Sequence, residues 1–291
     1  MKGYFLPAFG FLGAFAFGQS PDVAPFIELR PTWQVRSSKS DLFQWYDSSG
    51  RYSLVGARIV FENGLRGYVA QRFQRITSSG DPDTLDEYFI ESRGHWRVGK
   101  QYLPFGRKEI LRSTVLGARI DTNLLLDQAP IVLAICDGGS GRTRGVTGRI
   151  GESVGISFAI GNHFGIQSTD LTHFRFLEDA PGIEKGYRLA LGLDTQLSIG
   201  SSLLTAEWAS LRRGETASDS DADLSDVRLR FKIPSTIYRS SLAWSRNWSK
   251  KKDFVMMEIE MKGNDHISYM PIVRFEGLSF HDFGFSAVIK F

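Results

Sequence analysis

Apolar and polar residues alternate one by one along most of this chain. From Gly186 to Leu197, Tyr187, Leu189, Leu191 and Leu193 fall on one parity, and Arg188, Ala190, Gly192, Asp194 and Gln196 on the other. Val227, Leu229, Phe231 and Ile233 alternate with Arg228, Arg230 and Lys232, and Val255, Met257, Ile259 and Met261 with Glu258 and Glu260. A period of two places such sets on opposite faces of a β-strand, one suited to lipid and the other to water. The pattern predicts about fourteen strands, within roughly 12–16. They fall near 26–37, 51–62, 65–76, 86–92, 95–103, 143–150, 154–162, 185–197, 200–212, 223–233, 236–248, 253–262, 266–275 and 280–291. Segments of about 8–13 residues have the length a tilted strand needs to cross an outer membrane.

The connections alternate in length. Tight ones occur at Glu62-Asn63-Gly64, Ser92-Arg93-Gly94, Gly151-Glu152-Ser153, Ser198-Ile199-Gly200, Pro234-Ser235 and Gly263-Asn264-Asp265. Asn-Gly and other Gly-containing pairs tolerate the positive φ of short hairpins. Between them lie mostly long polar stretches, Ser38 to Gly50, Thr77 to Leu85, Phe105 to Arg142, His163 to Glu184 and Arg213 to Ala222. Short turns on one side and longer loops on the other predict an all-β, transmembrane, antiparallel up-and-down β-barrel with periplasmic turns and extracellular loops. A soluble sandwich has no physical reason for this asymmetry.

The first eighteen residues read differently. Lys2 precedes an apolar stretch from Phe5 to Phe17, and Ala16-Phe17-Gly18 has the small-x-small form of a cleavage site. Residues 1–18 are therefore expected to be a signal peptide and 19–291 the barrel, located in a bacterial outer membrane. No later apolar run approaches the ~18 residues of a helical span. The last strand places Phe283, Phe285, Ala287, Ile289 and Phe291 on one face. Trp96, Trp208, Tyr238, Trp248, Tyr269 and Phe291 are candidates for interfacial aromatic girdles.

A net charge of +3 is too mild to argue for nucleic acid as a partner. One cysteine, Cys136, forms no internal disulfide and no Cys-rich metal site. His95, His163, His173, His266 and His281 are scattered, without ligand-pair spacing, and no Gly-x-Ser-x-Gly elbow occurs. No enzyme activity, cofactor or metal is expected. An acidic alternation at Asp219, Asp221 and Asp223 reads as a solvated loop, with weak calcium binding as the alternative.

Residues 95–106 contain Val98-Gly99-Lys100-Gln101 followed by Pro104-Phe105-Gly106, and Arg142-Thr143-Arg144-Gly145-Val146 leads to Ile160-Gly161-Asn162. This stretch, about residues 87–162, resembles the phosphate-selective porin O and P group of outer-membrane porins. The resemblance implies a pore, with the group's phosphate selectivity and homo-trimeric assembly. The alternating final strand ending on an aromatic resembles the signal read by the barrel assembly machinery. That resemblance implies Phe283, Phe285, Ile289 and Phe291 as its residues and the machinery as a partner, beside outer-membrane lipids.

Parity assigns Arg58, Arg97, Arg149, Arg188, Arg228, Arg230, Lys232, Arg239, Glu258 and Glu260 to the lumen. The excess of basic groups predicts a weak preference for anions among small hydrophilic solutes. Residues 107–141 read as one long loop containing apolar stretches. Three arrangements suit it. It folds inward as a constriction carrying Arg107, Arg112, Arg119, Asp121 and Asp127, or it caps the pore, or it adds a hairpin to give about sixteen strands. The expected function is passive diffusion through a porin. The alternative is a non-conducting barrel acting as adhesin, receptor or structural anchor. Small inward positions such as Ala190, Gly192, Gly284 and Ser286 favour the pore by leaving space.

Overall fold

The structure is a computed structural model that describes residues 21–36, 42–45, 52–73, 85–111, 114–124, 129–137, 144–164, 187–212, 221–232, 238–249 and 251–291. The expected leader over 1–18 lies outside these residues, as do Arg112, Asp127 and the side chain of Lys232.

The strand segments are β1 (Asp22–Leu29), β2 (Thr32–Arg36), β3 (Leu42–Gln44), β4 (Leu54–Val60), β5 (Leu65–Arg72), β6 (Leu85–Ser92), β7 (Trp96–Tyr102), β8 (Thr114–Leu124), β9 (Ala129–Asp137), β10 (Arg144–Ile150), β11 (Val154–Phe164), β12 (Tyr187–Ile199), β13 (Ser202–Arg212), β14 (Ala222–Lys232), β15 (Tyr238–Asn247), β16 (Lys252–Lys262), β17 (Ile267–Glu276) and β18 (Ser279–Lys290). From β4 to β18 each strand pairs antiparallel with the next in sequence. The ring closes through the N-terminal strand. β1 pairs with β4 from Asp22↔Val60 to Glu28↔Leu54 and meets β18 at Glu28↔Lys290 and Leu29↔Ile289. After the interruption at Arg30-Pro31, β2 continues along β18 from Thr32↔Ser286 to Arg36↔Asp282. Proline has no N–H to give to the ladder, so one wall strand is split into two halves there. β3 pairs with β2 from Thr32↔Gln44 to Gln34↔Leu42 and lies between β2 and β4 in the strand order, so that β3 and β4 share one position of the ring.

Among the described residues the wall therefore has sixteen strands, against the expected fourteen. The additional two are β8 and β9, which occupy most of the stretch expected to be a single loop over 107–141. Closure satisfies every strand edge, which hydrocarbon would otherwise leave without hydrogen-bond partners.

The two ends of the barrel differ. At the end holding Phe291 and the start of β1, connections run from two residues (200–201) to five (233–237). At the other end the connection 165–186 has 22 residues, although 277–278 has only two. Gly64 and Gly94, at φ 81° and 78°, supply the left-handed turn residues of two tight hairpins.

Outward and inward faces follow the sequence parity. Val98, Ile135, Ile156, Ile160, Leu193 and Met257 are all exposed, Ile135 by 68%. A surface with so many large exposed apolar side chains belongs in lipid. Trp96, Tyr238, Tyr269 and Phe291 lie outward near the short-turn end and Trp248 near the other. Trp208 sits mid-strand instead, seventh of eleven in β13.

Candidate functional site

The interior is organised by one segment, residues 103–111, which leaves the wall after β7 and runs inside the barrel. Its entry is fixed by Tyr102. The Tyr102 hydroxyl donates to Asp86 Oδ2 at 2.9 Å, and its backbone N–H donates to Glu87 Oε1 at 3.1 Å. Asp86 also accepts from Arg72 Nε at 2.7 Å. Beyond this anchor Leu103, Phe105, Ile110 and Leu111 are all buried, packed with Val115 of β8, Ala134 and Cys136 of β9, Ala159 of β11, Ala190 of β12 and Ala209 and Leu211 of β13.

The Pro104-Phe105-Gly106 motif has a physical reason at this place. Gly106 adopts φ 52°, and a Cβ on it would lie 2.2 Å from Glu207 Oε1. Only glycine lets the backbone approach that carboxylate. The Gly106 N–H donates to Ser157 Oγ at 2.9 Å, and the N–H groups of Arg107 and Glu109 donate to Glu207 Oε2 at 2.9 and 3.1 Å. Phe105 lies over Gly192, where a Cβ would come within 2.7 Å of its ring. Ala190 and Gly192 therefore do not leave open space, as the sequence suggested; they make room for this segment. Replacing Gly192 with Val is expected to displace Phe105 and cost about 1–3 kcal/mol by overpacking. The readout is a lower temperature of unfolding in dodecyl sulfate, and an unchanged temperature would place Phe105 elsewhere.

Charged contacts fasten the segment to the opposite wall strands. Arg107 Nε donates to Asp194 Oδ1 at 2.7 Å. The same carboxylate accepts from Arg149 Nε at 2.9 Å and Nη2 at 2.6 Å. Glu109 accepts from Arg230 Nη2 at 2.5 Å and lies 3.8 Å from Arg228 Nη1. Arg228 is fully buried. Ordering a backbone costs about 1–2 kcal/mol per residue. Four buried apolar side chains at about 1.5–3 kcal/mol each do not clearly exceed that over nine residues. The charged contacts therefore decide whether the segment stays docked.

This arrangement changes the expected lumen. Arg228 and Arg230 are not bare cations in the lumen, because Glu109 of the inward segment lies against both. Arg149 is held by Asp194, Arg97 by Glu91 at 2.6 Å, and Arg119 by Asp121 at 2.7 Å on the same strand. Arg119 and Asp121 belong to the wall strand β8, not to an inward loop. Arg188 is exposed. Arg239 is 70% exposed and 3.9 Å from Glu260. Glu258 and Glu260 face inward beside it, half-buried. Arg58 faces inward over the Phe26 ring at 5.2 Å. Sequence parity assigns these groups to the lumen. It missed Glu109 and underweighted Asp194 and Glu207, the three carboxylates that hold the inward segment. The one available signal was Pro-Phe-Gly itself, a turn at a strand end followed by charged residues.

A second inward cluster is apolar. Ala243 of β15, Met256 of β16, Met270 and Ile272 of β17 and Val288 of β18 are buried together. Among the described residues no group of His, Cys, Asp and Glu is arranged to hold a metal ion.

No family model matches the chain, and no curated protein does. Solved structures do match in fold. The chain is similar to the trimer form of in-vitro folded OmpT, an outer membrane protein of Vibrio cholerae, at 11% identity and a TM-score of 0.58, covering 94% of this chain and 100% of that one. It is similar to the outer membrane channel DcaP of Acinetobacter baumannii at 10% identity and 0.59, covering 95% and 99%. It is similar to an anion-selective porin from Comamonas acidovorans at 9% identity and 0.57, covering 93% and 99%. The chain thus has the porin-like closed β-barrel fold of bacterial outer-membrane proteins, and an outer-membrane location is consistent with it.

Proposed function

We propose that the chain is an exported outer-membrane porin through which small hydrophilic solutes and ions diffuse passively. The observation that carries this reading is a sixteen-strand ring with a lipid-suited exterior and a charged interior narrowed by a docked segment. Chloride passes somewhat more readily than potassium. The preference is weak, because Glu109 and Asp194 each lie against two arginines and halve the charge of those four. It rests on Arg58 and on the chain's net charge of +3. Phosphate selectivity is not part of this reading, since Arg228 and Arg230 lie against Glu109. The similarity to a trimeric neighbour supports assembly of three copies. The outward row Phe283, Phe285, Ile289 and Phe291 supports recognition by the barrel assembly machinery.

The test is a planar bilayer holding the purified protein across a potassium chloride gradient. Stable current with a reversal potential displaced toward the chloride value is expected. Displacement toward potassium rejects the anion preference. The buried apolar cluster of Ala243, Met256, Met270, Ile272 and Val288 favours a second reading, a plugged barrel acting as receptor or anchor. Absence of current from folded protein would support that reading over the first.

A further inference from the structure

On the wall strands that lead up to the inward segment, from β1 through β4, β5 and β6 to β7, the wall carries a different construction. Phe26 of β1, Tyr68 of β5 and Phe89 of β6 form a continuous stack. The centroids of Phe26 and Tyr68 are 5.7 Å apart and those of Tyr68 and Phe89 5.3 Å, each pair 20° from parallel. Both ends are capped by guanidinium groups, Arg58 at 5.2 Å from the Phe26 centroid and Arg97 at 3.8 Å from that of Phe89. Two glycines make the room. A Cβ on Gly56 would lie 2.8 Å from the Phe26 ring, and one on Gly99 would lie 3.0 Å from Phe89 Cβ. Gly99 also has φ 133°, which a side chain disfavours.

The chemistry that this row presents is narrow. The ring faces are covered by one another or by guanidinium groups, so the half-buried rings offer the lumen their edges. Ring edges carry partial positive charge and attract the face of another aromatic ring. The two caps differ. Arg97 is neutralised by Glu91 at 2.6 Å, whereas Arg58 has no carboxylate within ion-pair distance among the described residues. A guanidinium lying flat on a ring keeps its in-plane N–H donors free for a carboxylate. The Tyr68 hydroxyl beside it has no hydrogen-bond partner among the described residues.

We propose that Arg58, Phe26, Tyr68 and Phe89 form a lumenal binding site for small aromatic carboxylates. The carboxylate pairs with the Arg58 guanidinium and the Tyr68 hydroxyl, and the ligand ring meets the edges of the stack. Neutral sugars do not fit the row, because they would need an uncovered ring face. The inference rests on the porin reading only for the route by which solute reaches the site.

Isothermal titration of benzoate into the folded, detergent-solubilised full-length barrel tests the site independently of current. Saturable heat is expected with benzoate, less with cyclohexanecarboxylate, and little with acetate or glucose. Arg58→Gln is expected to weaken benzoate binding by about tenfold. Phe89→Leu is expected to abolish the preference for benzoate over cyclohexanecarboxylate while folding normally. The proposal is overturned by no saturable benzoate heat, by equal heat from acetate or glucose, or by unchanged binding in Arg58→Gln. Potassium chloride current in a bilayer is measured on the same preparation. A barrel that binds benzoate without passing current retains the site and loses the porin reading, and the converse result does the opposite.

Discussion

Replacing Asp194 with alanine is expected to release the inward segment and turn the lumen strongly cationic. Asp194 has a fully buried side chain that meets two arginines, Arg107 from the segment and Arg149 from β10. Removing one partner of a buried ion pair costs about 3–5 kcal/mol, because the remaining charge stays desolvated. Here two guanidinium groups lose the same partner. Rehydrating them requires Arg107 to leave the wall, and with it the segment, since apolar burial alone does not secure nine ordered residues. Arg107 and Lys108 are trypsin sites. In the folded wild-type barrel, cleavage there is expected to be slow, and in Asp194→Ala it becomes fast while the rest of the wall stays intact. Asp194→Asn still accepts hydrogen bonds and is expected to fall between the two. In a salt gradient the alanine variant should move the reversal potential further toward chloride than wild type. Wild-type resistance to trypsin in Asp194→Ala would mean that Phe105, Ile110 and Leu111 hold the segment without help from charge.

The wall was legible in the sequence wherever one face met lipid and the other met water. The alternation from Gly186 to Leu197 became β12, and that from Val255 to Met261 became β16 with Glu258 and Glu260 inward. It failed at β9, which reads Ala129-Pro130-Ile131-Val132-Leu133-Ala134-Ile135-Cys136. There the outward residues Leu133 and Ile135 meet lipid, but the inward Ala134 and Cys136 pack against the docked segment. Both faces are apolar, so the period of two disappears, as it does for strands buried on both sides. The docked segment thus hid β9, whereas β8 keeps its alternation, with Ile120 outward and Arg119 and Asp121 inward. The lumenal charges show the same limit. Parity tells which arginines point inward, but not that Glu109 would arrive from far away in sequence, 121 residues before Arg230, to meet Arg228 and Arg230. A charge count along strands cannot register a neutralising group carried on a loop.

The closure of the ring is the place where a single side chain should matter most to stability. β18 meets the N-terminal strand through two aligned residues of β1 and five of β2. The pairing of β12 with β13, by contrast, runs through eleven. Side chains reinforce this short seam. Asp282 accepts from Arg274 Nε at 2.8 Å, also from Arg274 Nη2, and from Gln34 Nε2 of β2 at 2.7 Å. All three residues are buried. A few residues along, Thr32 Oγ1 and Ser286 Oγ share a hydrogen bond of 2.7 Å. Asp282→Ala leaves the Arg274 guanidinium buried without this carboxylate and removes the link from β18 to Gln34. The expected loss is about 3–5 kcal/mol. Because it falls on the seam, the ring should open there first. The folded band in unheated dodecyl sulfate gels should disappear at a clearly lower temperature than in wild type. Glu276→Ala, at the exposed tip of the same hairpin, should change little, since surface ion pairs contribute about 0–1 kcal/mol. Replacing the buried pair together, as Arg274→Met with Asp282→Leu, should recover much of the loss, because apolar groups of similar volume need no counter-charge. If Asp282→Ala unfolds at the wild-type temperature, the seam is held by its backbone ladder, and the buried network contributes nothing to closure.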